Sequence, residues 1–182
     1  MNRDRDRDRD PAGRPRNARP RDGLGRPLSR AGSAEVSGFS GSERIPDDLV
    51  IGGTEAAGLA DRLLRDGHPF HAHEVLEAAW KSGPAQERDL WQGLAQIAVG
   101  LTHARRGNAR GAVTLLRRGA ERVRGYQDRA GSQSAAGRPA SPFGMNIASF
   151  LAAADDVAAR IDRDGLDGIP VADLSPGLLA GG

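Results

Sequence analysis

The sequence predicts an all-α protein, a compact antiparallel bundle of about five helices that follows a disordered N-terminal tail. Apolar residues recur every three or four positions from about residue 50 onwards, and no segment alternates apolar and polar residues as a half-buried strand would. Glycine, proline and asparagine also interrupt the chain at short intervals, which is typical of helices joined by tight turns.

Residues 1–45 are predicted to be a disordered tail, because they open with RDRDRDRD, continue with Pro, Gly, Ser and Arg, and hold few bulky apolar residues. Residues 1–44 contain 11 arginines and 7 acidic residues, whereas the rest of the chain contains 15 basic and 17 acidic ones. An arginine-rich arm can bind nucleic acid, but the alternating aspartates cancel much of its field. We therefore expect a solvated extension, with contact to RNA or DNA through the tail and the arginines of the fourth helix as the weaker alternative.

Local signals place the first two helices of a domain expected over residues 46–165. Thr54 is a candidate N-cap for the first helix, and Gly67 is suited to end it. Pro69 fits the first turn of the second helix, because its missing N–H would have no partner there. Gly83 and Pro84 then end that helix.

Three more helices are expected over residues 85–106, 109–125 and 145–162. Asn108 and Asn146 are candidate N-caps for the last two. Residues 127–142 read as a loop, since they are rich in Gly, Ser and Pro. Residues 166–182 are expected to lie against the domain as an irregular C-terminal tail.

Composition excludes several kinds of protein. The chain has no cysteine, which removes disulfides and thiolate metal sites and suits a reducing cytoplasm. No apolar stretch follows the opening arginines, so no signal peptide is expected. The longest charge-poor run, residues 90–104, is shorter than the roughly 20 residues that a membrane span needs. The sequence therefore predicts a cytoplasmic protein that does not contact membranes.

The segment HPFHAHEVLEAAWK, residues 68–81, places polar groups on the apolar side of the second helix. On a helical wheel, His73 and Glu77 fall in the same arc as Phe70, Leu76 and Trp80. The complementary arc, expected to face solvent, holds His71, Glu74, Ala78 and Lys81. A carboxylate on a core-facing arc is costly unless it is paired, and His73 and Glu77 are one turn apart.

The third helix repeats this pattern. Gln92, Gln96 and His103 share one stripe of a helix that carries no charged residue over four turns. We expect this stripe to meet His73 and Glu77 across the interface between the two helices, where a closed network would satisfy every polar group.

Two interpretations of these polar residues remain open. They tie the two helices together, or they line a small pocket in which Glu74 or Glu77 acts as a catalytic base. Trp80 and Trp91 are expected to anchor helix interfaces rather than stack on a ligand. The candidate binding residues are His73, Glu77, Trp80, Gln92, Gln96 and His103.

A metal site is the chemical alternative. The run His73-Glu74-x-x-Glu77 is similar to the HExxH helix of zinc proteases, with glutamate in place of the second histidine. Glu77 could still be a ligand of a divalent metal and His103 a third one. No second Glu-x-x-His pair occurs on another helix, as di-metal bundles require. No cofactor is therefore assigned.

The segments HPFHAHEVLEAAWK and LWQGLAQIAVGLTHARRGNARGAVTLL resemble the bacterial domain of unknown function 309 family over roughly residues 55–160. The chain departs from the family at His71 and Ala78, where glutamate is common. The resemblance implies a compact all-α bundle with no agreed biochemical activity. The positions that match the family's pattern are Gly67, Phe70, His73, Glu74, Glu77, Trp80, Gly93, Leu94, Gln96, Ala98, His103, Gly107, Asn108, Gly111 and Ala112.

These observations favour a cytoplasmic binding or interaction module that carries a half-buried His/Glu/Gln cluster. Its partner is expected to be another protein or a second copy of the chain. The alternative is a metal-dependent hydrolase that uses His73, Glu77 and His103 as ligands and Glu74 as general base.

Overall fold

The computed structural model describes residues 45–46, 49–133 and 142–179. These residues form five α-helices: α1 (Gly53–Arg65), α2 (Pro69–Ser82), α3 (Arg88–Arg105), α4 (Ala109–Gln133) and α5 (Ile147–Asp164). Short 3-10 turns occur at Ala85–Glu87, Pro142–Gly144 and Val171–Leu174. The described part contains no strand, which confirms the all-α prediction. The predicted disordered tail, residues 1–45, lies outside the described residues except for Ile45.

Each helix packs against the next one along the chain, so that α3 lies between α2 and α4. Their apolar faces meet in one core, in which Leu63 and Leu64 of α1 and the leucines of α2 and α3 are almost fully buried. None of the helices in the described ranges is long and apolar enough to cross a membrane.

Most of the expected helix ends are confirmed. Pro69 is the first residue of α2, and Gly83 is its C-cap. The side-chain oxygens of Asn108 and Asn146 accept hydrogen bonds from the backbone N–H groups of Gly111 (2.9 Å) and Ser149 (3.1 Å). The expected cap at Thr54 is wrong, because α1 already begins at Gly53.

The fourth helix is longer than the sequence predicts. It continues to Gln133, so that residues 127–133 are helical and not part of a loop. Arg129, one turn beyond the predicted end, forms an ion pair with Asp89 of α3. That long-range contact favours the helical conformation where composition alone suggested a loop. The remainder of the predicted loop, residues 134–141, lies outside the described residues.

Helices α3 and α4 approach each other at glycines. A Cβ atom built on Gly119 would lie 2.6 Å from the carbonyl oxygen of Gly93, and one built on Gly93 would lie 2.5 Å from Val123. The two backbones can therefore be this close only because both positions lack a side chain.

The chain after α5 folds back onto the bundle. Residues 174–179, here called the C-terminal strap, place Leu174 and Leu178 in the core. Asp61 of α1 holds the strap, since its Oδ1 accepts hydrogen bonds from the N–H groups of Leu178 (2.6 Å) and Leu179 (2.9 Å). Residues 174–179 thus pack against the helices.

Candidate binding face

One narrow stripe of α2 is open to solvent. Because the helix packs against both α1 and α3, half of its 14 residues are buried. The residues that remain half-buried recur at the three- and four-residue spacing of one helical face. They are Phe70, His73, Glu74, Glu77 and Trp80.

Two residues expected on the solvent side of α2 are instead buried. His71 is 2% exposed and Ala78 is 8% exposed. The prediction that His73 and Glu77 lie on the core-facing side of α2 is also wrong, because contacts with α1 and α3 bury the two flanks of the helix and leave the stripe that holds them open to solvent. His71 Nδ1 lies 3.9 Å from Glu74 Oε2, so this carboxylate is near a buried imidazole.

His73 occupies the centre of the α2 stripe. Its Nε2 lies 3.6 Å from Glu77 Oε2. Glu77 Oε1 in turn forms an ion pair with Lys81 Nζ at 2.9 Å. Burial lowers the pKa of His73 below its ordinary value; Glu77 opposes this shift and Lys81 adds to it. The imidazole is therefore neutral at neutral pH, and either ring nitrogen can carry the proton.

The N-terminal end of the stripe is aromatic. The Phe70 ring lies edge-on to the imidazoles of His71 and His73, with centroid distances of 5.8 and 6.1 Å. The guanidinium of Arg106, just after α3, lies 5.8 Å from the centroid of the same ring. The half-buried Trp80 lies near the opposite end of α2.

Helix α3 contributes a second stripe. No residue from 90 to 105 is fully exposed, which is unusual for a surface helix and follows from its place between α2 and α4. The half-buried positions within α3's predicted stripe are Gln92, Gln96, Val99 and His103. We call the two stripes together the α2–α3 face.

The expected network between these two stripes is wrong. Gln92 Oε1 accepts a 2.5 Å hydrogen bond from Arg122 of α4, and Arg122 also contacts Asp89 at 3.1 Å. The Asn108 side-chain amide donates to His103 Nδ1 at 2.7 Å. The α3 stripe thus bonds to α4 and its cap rather than to His73 and Glu77.

Two polar atoms of the face are buried and have no hydrogen-bond partner among the described residues. They are Gln96 Oε1 and His73 Nδ1. Native proteins satisfy most such atoms with protein, water or ligand groups, so each one marks a place where an incoming group could bond.

The proposed metal ligands are not brought together. His103 bonds to Asn108, whereas His73 and Glu77 lie next to each other on α2. In the part of the chain that the structure describes, no group of three His, Asp or Glu side chains could hold a metal ion. Glu74, the candidate general base, lies beside His71 on the same helix.

Asp61 is the polar residue that sequence reasoning missed. It is 7% exposed and joins α1 to the C-terminal strap. Its partners lie more than 110 positions away along the chain, so no local pattern could indicate them. The only sequence signal was an aspartate between the leucines and alanines of an amphipathic helix.

Residues 59–115 match the sequence model of the family described as Domain of unknown function (DUF309). Over these residues the chain is similar to that family. The matched segment contains all of α2 and α3 but ends in α4, so it is shorter than the resemblance to residues 55–160 predicted. It includes the whole α2–α3 face and leaves out the C-terminal strap.

The chain is also similar to a curated protein over a short segment. The uncharacterized protein YpuF of Bacillus subtilis (strain 168) is 46% identical to the chain over 48 residues, which cover 26% of the chain and 28% of that protein. The chain thus matches well under two thirds of this relative. No solved structure matches the chain.

Proposed function

We propose that the helical domain is a cytoplasmic binding module and that the α2–α3 face is its contact surface. One observation carries the proposal: Gln96 Oε1 and His73 Nδ1 are buried without a hydrogen-bond partner among the described residues. Each such atom costs about 1–3 kcal/mol of folding free energy. A partner that bonds to them recovers this free energy on binding.

The rest of the face has the chemistry of a protein-binding surface. The half-buried rings of Phe70 and Trp80 lie towards its two ends, and aromatic side chains of this kind often carry most of the binding energy. The neutral imidazole of His73 lies between them on α2, and α3 contributes the amides of Gln92 and Gln96. The partner is therefore a protein segment with apolar side chains for the two rings and hydrogen-bonding groups for Gln96 and His73.

Replacing Gln96, whose buried Oε1 has no partner among the described residues, tests its effect on binding separately from its effect on stability. The variant Gln96→Leu removes a buried carbonyl oxygen that has no donor, so we expect the free energy of unfolding to stay constant or rise by about 1 kcal/mol while binding is lost. Gln92→Leu is the matched control, because it breaks the hydrogen bond with Arg122 and should lower stability. Urea denaturation measures both variants. Destabilisation of Gln96→Leu equal to that of Gln92→Leu would argue for a purely structural amide.

Site-specific photo-crosslinking in the producing cells tests for the partner. A crosslinking residue at Val99, on the face, should give one product of defined mass, and one at the exposed Ala152 of α5 should not. With the purified partner, Trp80→Ala should weaken Kd at least tenfold. Identical products at both positions would contradict the proposal. So would a stoichiometric metal that is lost on His73→Ala, which would support the hydrolase alternative.

A further inference from the structure

The C-terminal strap is held mainly through its backbone. Asp61 Oδ1 accepts hydrogen bonds from the N–H groups of Leu178 and Leu179. On the other side, the N–H of Asn146 donates to the carbonyl oxygen of Leu178 at 2.9 Å, and Met145 forms an antiparallel bridge with Leu179. The strap therefore lies between α1 and the start of α5 as a short extended segment with a single β-bridge.

Two positions of the strap, Gly177 and Leu178, make specific contacts with the rest of the molecule. Leu178 is fully buried, so the site between the helices contains a pocket that one leucine fills. At Gly177 the guanidinium of Arg65 occupies the place where a Cβ atom would lie. Arg65 Nε in turn donates to Asp61 Oδ2 at 2.9 Å, which fixes the guanidinium there. The site therefore fits a leucine, and a side chain at the preceding position would require the half-exposed Arg65 guanidinium to shift.

Peptide-binding domains use contacts of the same kind when an extended peptide adds to the exposed edge of a sheet. Main-chain hydrogen bonds supply affinity and a pocket for one side chain supplies specificity. None of the backbone contacts depends on the strap being covalently joined to α5.

We propose that the cleft between α1 and the start of α5 is a peptide-binding groove, which the strap occupies in cis. Its partner in trans is an extended peptide in which glycine is followed by leucine and a second apolar residue. The strap competes with that peptide and keeps the groove closed until the peptide displaces it. This inference is independent of the α2–α3 face, because it uses none of the same residues.

Binding of a labelled peptide to the full-length protein tests the groove. The peptide SPGLLAGG repeats residues 175–182, and fluorescence anisotropy measures its affinity. In the full-length variant Leu178→Ala the competing strap is weaker, so the peptide should bind at least tenfold more tightly than to the wild type. A peptide with the change Leu178→Asp is the matched control and should not bind. Adding Asp61→Asn to the protein should weaken binding again.

Equal affinity for the wild type and for Leu178→Ala, or no binding to either, would overturn the proposal. Hydrogen exchange of the wild type gives a second test that does not depend on how a variant folds. The Leu178 and Leu179 amides, both bonded to Asp61, should exchange at least tenfold faster than the core amides of α3. If they exchange as slowly as α3, the strap opens only on global unfolding and is part of the core.

Discussion

At the scale of single residues, Asp61 connects two parts of the molecule that are far apart in sequence, α1 and the C-terminal strap. Desolvation by burial raises its pKa, but hydrogen bonds from Leu179, Arg65 and Leu178 outweigh that effect and hold the pKa below the ordinary value. The carboxylate is therefore stabilised in its charged form. Removing the charge should leave two backbone N–H groups and Arg65 with a weaker acceptor.

The Asp61→Asn variant should lose about 1–3 kcal/mol of unfolding free energy at pH 7. Since the pKa is lowered in the folded state, this contribution is present above the unfolded pKa of about 3.9 and is lost as pH falls through the folded value. Urea denaturation of the wild type and of Asp61→Asn between pH 7 and pH 3 measures this contribution to the unfolding free energy. Asp156→Asn is the control, because Asp156 forms an exposed pair with Arg160. Equal losses in both variants would show that Asp61 has no special role.

His73 should make the stability depend on pH in the same direction but nearer neutrality. Burial lowers its pKa, so the folded state resists protonation and the domain loses stability as pH falls from about 6.5 through the folded pKa. His73→Gln should reduce the difference between the urea midpoints at pH 7.5 and pH 5. Glu77→Gln should increase it, because Glu77 raises the pKa of His73. A larger difference in His73→Gln, or a smaller one in Glu77→Gln, would contradict this account, and NMR titration of His73 reports the pKa directly.

At the scale of helices, the α3–α4 crossing depends on missing side chains. Gly119→Ala places a Cβ against the backbone of α3, so we expect a loss of about 1–3 kcal/mol as the helices move apart. Gly131→Ala, on the same helix but with no atom within 4 Å of the new Cβ, should stabilise α4 by up to about 1 kcal/mol. Thermal denaturation distinguishes them. A stabilised Gly119→Ala would mean that the crossing is looser than the structure shows.

The helices also show what local sequence can predict. Pro69, Gly83, Asn108 and Asn146 act through groups within four positions, so the sequence located those helix ends. The end of α4 was misplaced because Arg129 is stabilised by Asp89, 40 positions earlier. The helical wheels found which residues of α2 and α3 share a stripe. They could not show that α3 turns its stripe towards α4, since a wheel gives no information on neighbours.

At the scale of the whole molecule, the helices form a series in which each contacts the next, and the strap joins the two ends. Leu178 and Asp61 connect α1 to the segment that starts α5, whereas α3 lies in the middle of the series. Contacts between sequence neighbours favour fast folding, but the ends of such a series have fewer partners than its centre. The strap should therefore matter most for the outer helices.

Hydrogen exchange monitored by NMR tests this arrangement. Leu178→Ala removes a fully buried side chain, which should cost about 2–5 kcal/mol. We expect amide protection to fall more in α1 and α5 than in α3, because the variant releases the ends of the series first. Leu94→Ala, in the centre of α3, should lower protection in every helix by a similar factor. If Leu178→Ala also lowers amide protection in all helices by a similar factor, the five helices unfold as one cooperative unit and the strap does not stabilise the outer helices.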